Sequence, residues 1–374
     1  MVLHGSMKMV PTDFCGLLLP VLAVAFLFGS TAANEAMLCN GVKTIHSSPN
    51  GHSTGYITSP NHPKPYPAEN MQCTFRFEPK VGEQVQLTFS YFNLRESSKV
   101  PATQNCDLSD SIKIFIGTTR SNTEHGNQVG EYCGRTHPEI VMAVSRPLTV
   151  IFTVRAKDNP TIGAVYMFKA KYTFTKDYGF KTHAHQNHSA GCHFTFDGRR
   201  ELAPGTQSGN GHFDSPNFGG LYPFATNCLY TFRAYGNQTI RLNFDKFKVE
   251  GHHDCRRTED DFLYIKDGEM SKTDWQNFAV SAEEDPVKRE TSTTLFCGLR
   301  NPPPFAAQQK VVNVIFKSGQ WRTNTGFRGT YHFQGHPGVY WTRSSTTKST
   351  TWSAGLTLLA LFMLSIAQTF SSRS

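Results

Sequence analysis

Ser215-Pro216-Asn217-Phe218-Gly219-Gly220-Leu221-Tyr222-Pro223 repeats the frame of Ser59-Pro60-Asn61-His62-Pro63-Lys64-Pro65-Tyr66-Pro67 at the same internal spacing. The surrounding text repeats too. Cys73 opens Cys-Thr-Phe-Arg-Phe, and Cys228 opens Cys-Leu-Tyr-Thr-Phe. Tyr132-Cys133-Gly134 answers Phe296-Cys297-Gly298, and Val150-Ile151-Phe152 answers Val314-Ile315-Phe316. Each half closes on spaced aromatics, from Phe168 to Phe174 and from Phe327 to Phe333. The offset runs from 149 residues (Cys106 to Cys255) to 164 (Cys133 to Cys297). A common framework with loops of variable length gives such a drift, so the chain holds two copies of one domain.

Between the turn residues the pattern has period two. Val85, Leu87, Phe89 and Tyr91 alternate with Gln86, Thr88 and Ser90; Ile112, Ile114 and Ile116 flank Lys113 and Phe115; Ile240, Leu242 and Phe244 flank Arg241 and Asn243. Short alternating runs punctuated by Gly, Pro and Asn predict half-buried strands. Outside the two termini no stretch keeps a helical stripe. The expected fold is all-β, a sandwich or jelly roll in each half, and 374 residues allow each half a core of its own.

Lys8, the apolar run Phe14–Phe28 and the small residues Ser30 to Ala33 read as a secretory signal over residues 1–33. Cys15 lies within it. The eight remaining cysteines are Cys39, Cys73, Cys106, Cys133, Cys192, Cys228, Cys255 and Cys297, four per half, and in a secreted chain they read as disulfides. Four cysteines permit three pairings. The sequons at Asn187 and Asn237 suit the same compartment. A formal charge of +8 is spread without a dense Lys/Arg track, which argues against nucleic acid as a partner.

The order of these motifs resembles the CUB domain, twice, over 39–175 and 191–334 with a linker at 176–190. The resemblance implies jelly-roll sandwiches, disulfides paired in sequence order, and a role in protein–protein recognition. It also implies a calcium site at one end of the domain. The matching acids are Glu250 and Asp261 in the second copy and Glu96 and Asp110 in the first. Two neighbouring carboxylates repel, and a hard cation relieves that. Both copies depart from the family's third acid, with Gly319 after Phe316-Lys317-Ser318 and Arg155 after Phe152-Thr153-Val154; Asp158 is a substitute in the first copy. The stretch Asp254–Tyr264 and the two-domain layout are similar to the suppressor-of-lurcher type, which implies an ionotropic glutamate receptor as partner.

A Ser/Thr-rich stalk at 335–351 leads to an apolar segment at 352–370. Small residues at Ser344 and Ser345, a polar spacer and a tail ending near the terminus match a GPI-anchor signal. A single transmembrane helix and full secretion are the alternatives; only Arg373 would hold such a helix on the cytoplasmic side. The loop 269–295 carries Trp275 and Phe278 near mixed charge, suited to a partner-binding anchor or to packing on its own sandwich. The histidines His183, His185, His188 and His193 read as solvated linker, as do His252 and His253 on a loop; neither pattern has the fixed spacing of a zinc site. No metalloprotease or serine-nucleophile motif is present, and a non-catalytic adaptor at the outer cell surface is expected. The alternative is a soluble or matrix-associated binder of ligands or glycans.

Overall fold

The computed structural model describes residues 39, 41–49, 53–97, 106–117, 126–155, 164–179, 185–186, 191–199, 209–252, 255, 261–271, 295–336 and 338. The signal, the stalk apart from Gly335, His336 and Gly338, the apolar tail, Asn187, Trp275, Phe278, Ser344 and Ser345 lie outside them. Everything described from Cys39 onward forms one compact unit.

The first copy contains β1 (Val42–His46), β2 (Ser53–Thr58), β3 (Met71–Glu78), β4 (Gln84–Asn93), β5 (Ser111–Ile116), β6 (Asn127–Cys133), β7 (Val141–Val144), β8 (Leu148–Val154) and β9 (Met167–Thr175). The second contains β10 (His185–Gln186), β11 (His193–Asp197), β12 (Asn210–Asp214), β13 (Asn227–Arg233), β14 (Thr239–Lys248), β15 (Phe262–Asp267), β16 (Leu295–Phe296), β17 (Phe305–Ala306), β18 (Val311–Lys317) and β19 (Gly326–Gln334).

Each copy is a sandwich of two sheets. One sheet is ordered β1-β3-β8-β5-β6 in the first copy and β10-β11-β13-β18-β15-β16 in the second; the facing sheets are β2-β9-β4-β7 and β12-β19-β14-β17. The first long strand joins its sheet in parallel in both copies, β1 to β3 and β11 to β13, while the other pairs are antiparallel. Disulfides Cys39–Cys73 and Cys192–Cys228 tie the start of that strand to its parallel neighbour, and Cys106–Cys133 and Cys255–Cys297 close the β5–β6 and β15–β16 ends. The pairing therefore follows sequence order. A bulge falls at the same place in both long strands, between Phe89 and Tyr91 and between Phe244 and Lys246.

The inward-facing residues of the alternating strands make an aromatic core. In the second copy the Phe213 ring meets Phe232 at 5.1 Å, Phe244 at 5.6 Å, Tyr230 at 5.7 Å and Phe327 at 5.9 Å, mostly edge to face. Such contacts add about 0.5–1.5 kcal/mol per pair beyond burial.

The two copies are joined by hydrogen bonds, and the joint uses the repeated Ser-Pro-Asn motif of the second copy alone. Asn217 is 2% exposed. Its N–H donates to Tyr178 O (2.8 Å), its Nδ2 donates to Ile140 O (3.0 Å), and its Oδ1 accepts from Gln86 Nε2 (2.7 Å). Leu221 N–H also donates to Ile140 O, at 2.8 Å, and Asn127 Nδ2 donates to Gln320 O at 2.7 Å. A Cβ on Gly220 would run into the Ile140 carbonyl, so glycine is required at this close approach. Tyr178 and Val144 pack with the second copy's core. The first copy has Pro63, Lys64 and Pro65 where the second has Gly219, Gly220 and Leu221. Pro65 has no N–H to donate and Lys64 has a Cβ, so the first copy's loop cannot make this joint.

Candidate functional site

The Ser-Pro-Asn-x4-Tyr-Pro motif builds one end of each sandwich. Ser59 exchanges hydrogen bonds with the closing strand: its N–H donates to Phe168 O (3.1 Å) and its Oγ accepts from Phe168 N–H (3.2 Å). Ser215 treats Phe327 alike, at 3.0 and 3.1 Å. Asn61 (φ 63°) and Asn217 (φ 57°) take the left-handed conformation that asparagine tolerates. The chain then turns so that Tyr66 and Tyr222 enter the core, edge-on to Phe152 at 5.0 Å and Phe316 at 5.1 Å.

Each tyrosine carries its hydroxyl to the carboxylate that precedes β5 or β15. Tyr66 donates to Asp110 Oδ2 (2.8 Å) and accepts from Arg95 N–H (2.8 Å). Tyr222 donates to Asp261 Oδ2 (2.6 Å) and accepts from Glu250 N–H (2.9 Å). Burial first, and then the adjacent carboxylate, pushes both phenols far above their ordinary value, so both remain donors. The second oxygen of each aspartate accepts a backbone N–H, from Arg155 to Asp110 (2.7 Å) and from Gly319 to Asp261. At the two positions that depart from the family's third acid, the contact to the aspartate is thus made by backbone. It does not depend on which side chain the position carries.

This register corrects one expectation. Counted from the shared bulge, Arg95 occupies the place of Glu250, and Glu96 is exposed one residue further on. Glu96 therefore does not pair with Asp110. The Arg95 side chain is buried, its Nη1 3.7 Å from Asp110 Oδ2. Its guanidinium lies 5.2 Å from the Tyr66 ring centre and 5.3 Å from that of Tyr166. Arg95 Nε and Nη1 make no hydrogen bond, so charge attraction and the two π faces hold it. Arg155 adds a second guanidinium, with Nη1 donating to Ser109 O at 2.6 Å and Ser111 Oγ at 3.3 Å. Burial still holds the Asp110 carboxyl above the usual range, against the lowering pull of the Arg155 N–H, the Tyr66 hydroxyl and Arg95.

The second copy inverts the charge at this position. Glu250 is half-buried, and its Oε1 accepts from Asn324 Nδ2 at 2.8 Å. Asn324 takes the place of Tyr166, since its carbonyl accepts the Tyr222 N–H as that of Tyr166 accepts the Tyr66 N–H, both at 3.1 Å. An arginine with an aromatic neighbour in one copy thus becomes a carboxylate with an amide donor in the other. Two copies with one scaffold have opposite charge at one end. The motif and both aspartates are plain in the sequence; the Arg95–Glu250 exchange was legible only by counting six residues on from Phe89 and from Phe244.

Among the described residues no three His, Cys, Asp or Glu side chains converge as metal ligands. Asn237 is exposed; its N–H donates to His336 O, and its Oδ1 accepts from His336 N–H at 2.6 Å, leaving Nδ2 outside these bonds.

The CUB domain model matches residues 47–166 and 205–294. The chain belongs to the CUB domain family. Cubilin of Homo sapiens is 28% identical over 299 residues, covering 79% of this chain and 7% of cubilin. Procollagen C-endopeptidase enhancer 2 of Mus musculus is 25% identical over 305 residues, covering 81% of this chain and 59% of the enhancer. The chain therefore spans less than two thirds of the enhancer and a small part of cubilin. A crystal structure of the MASP-1 CUB2 domain bound to Ca2+ is 24% identical with a TM-score of 0.23, covering 33% of this chain and 91% of that domain. CUB domains are extracellular protein-binding modules, and this chain carries two.

Proposed function

We propose that the chain is a non-catalytic adaptor at the outer cell surface, held there by a GPI lipid attached at Ser344 or Ser345 when the 352–370 signal is removed, and that it presents its two CUB domains to a membrane protein partner. Ionotropic glutamate receptors are the partner class suggested by the Asp254–Tyr264 stretch. The observation that carries the adaptor reading is the joint around Asn217, which fixes two recognition modules together while leaving their charged ends different. In the second domain Glu250 and Asp261 would hold a calcium ion: both are hard oxygen donors, the Tyr222 hydroxyl bonds the Asp261 carboxylate and the Glu250 backbone N–H, and Glu250 Oε2 accepts no hydrogen bond from the described residues. The first domain does not fit a cation, because Arg95 and Arg155 bring positive charge to the same place.

Affinity capture from native membranes with the full-length tagged chain tests the partner. Recovery of glutamate-receptor subunits, lost when Trp275 and Phe278 are both replaced by Ser, supports the reading. Their absence from the captured proteins removes the receptor. Equal recovery by the double variant removes the 269–295 loop as the contact.

A further inference from the structure

The outer face of the β2-β9-β4-β7 sheet in the first domain carries a shallow trough of about 460 Å3. Tyr56, Thr88, Ser90, Lys169, Lys171 and Thr173 line it together with Gln86, which also bonds Asn217 at the joint, and there is no carboxylate among the lining residues. Cross-strand register places Lys171 between Tyr56 on β2 and Thr88 on β4, and Thr173 beside Thr54. The Lys169 ammonium stands 4.6 Å above the Tyr56 ring, which is 57% exposed. Neither lysine forms an ion pair with a described residue. Two cations two residues apart on one strand lie about 7 Å from each other, and the ring holds one of them in place without consuming its charge.

The second domain treats the same positions differently. Arg328 replaces Lys169, and its guanidinium is bound in a fork by Asp214, with Nε to Oδ1 at 2.8 Å and Nη2 to Oδ2 at 2.9 Å. It also covers the Phe218 ring at 4.4 Å. Thr330 replaces Lys171, and Asp245 replaces Ser90. The second face is neutralised from within, while the first keeps two positive charges amid hydroxyls.

We propose that this trough on the first domain binds a sulfated glycan. Sulfate groups complement the two ammoniums; hydroxyls on the sheet suit the hydrogen-bonding of sugar hydroxyls; and the exposed side of Tyr56 suits the C–H face of a pyranose. A peptide adding to the sheet would use an edge strand. The second domain bonds the carbonyl of Ile140, just ahead of β7, and the trough lies across β2, β9 and β4, on the face of the sheet and not along an edge.

The test is titration of the purified full-length chain with a heparin-derived hexasaccharide, a non-sulfated hyaluronan hexasaccharide and a poly-glutamate peptide of matched charge. Binding of the sulfated sugar is expected, weakening as salt rises, with at least a tenfold loss of affinity in K169Q/K171Q. The charge-matched K246Q/K248Q variant on the second domain should keep wild-type affinity, and unchanged melting of both variants separates binding from folding. Equal binding by K169Q/K171Q, equal loss in K246Q/K248Q, absence of any binding, or tighter binding of poly-glutamate overturns the proposal.

Discussion

The two CUB domains share a tyrosine–aspartate end but use it with opposite charge. In the first, Arg95 lies between Tyr66 and Tyr166 beside Asp110; in the second, Glu250 and Asn324 stand in those places beside Asp261. What is common to the copies is what holds the sandwich: the serine that exchanges bonds with the closing strand, the left-handed asparagine, the buried tyrosine and the aspartate. What differs is what remains available to the surroundings. Duplication has kept the support and released the neighbouring positions to diverge.

The largest effect that probes this contrast is expected at Arg95. Arg95→Met keeps the volume and removes the cation, and breaking a buried pair costs about 3–5 kcal/mol. The cost should depend on pH in a definite direction. Asp110 titrates above its unfolded value, so its contribution to stability is fully present below that value and is lost as pH rises through the raised one. Without Arg95 the carboxyl rises further, so the variant should lose most near neutral pH and approach wild type as Asp110 becomes protonated. Denaturant unfolding from pH 3 to 8 measures this; a deficit independent of pH would mean that Arg95 acts by packing alone.

A smaller effect tests the asymmetry of the two motif loops. Gly220→Ala drives a Cβ into the Ile140 carbonyl, and overpacking of that kind costs about 1–3 kcal/mol. Because the strain falls on the joint, calorimetry should show the two domains unfolding in separate steps. Lys64→Ala, at the same place in the first domain, should change stability by less than about 0.5 kcal/mol. Equal effects at the two positions would show that the joint does not depend on the second loop.

Much of the fold was legible because its determinants are periodic or paired. Alternation gave the strands, eight cysteines gave the staples, and the repeated Ser-Pro-Asn motif gave two domains. The chemistry of the ends was less legible. Position 95, not 96, matches Glu250 only once Phe89 and Phe244 are known to be partners, and it is the bulge shared by β4 and β14 that shows they are. The joint was hidden for another reason. Asn61 and Asn217 are the same residue in the same motif, and Gly220 against Lys64 gains meaning only when Ile140 of the other domain is known to be its neighbour. The lysine trough likewise depends on register, since Lys171, Tyr56 and Thr88 are far apart in sequence and adjacent across strands.

Calcium stoichiometry tests the contrast between the two ends most directly. Titration calorimetry of the full-length chain should find one calcium ion per chain, unchanged in Glu96→Gln and lost in Glu250→Gln. Two ions per chain, none, or binding that survives Glu250→Gln would contradict the account.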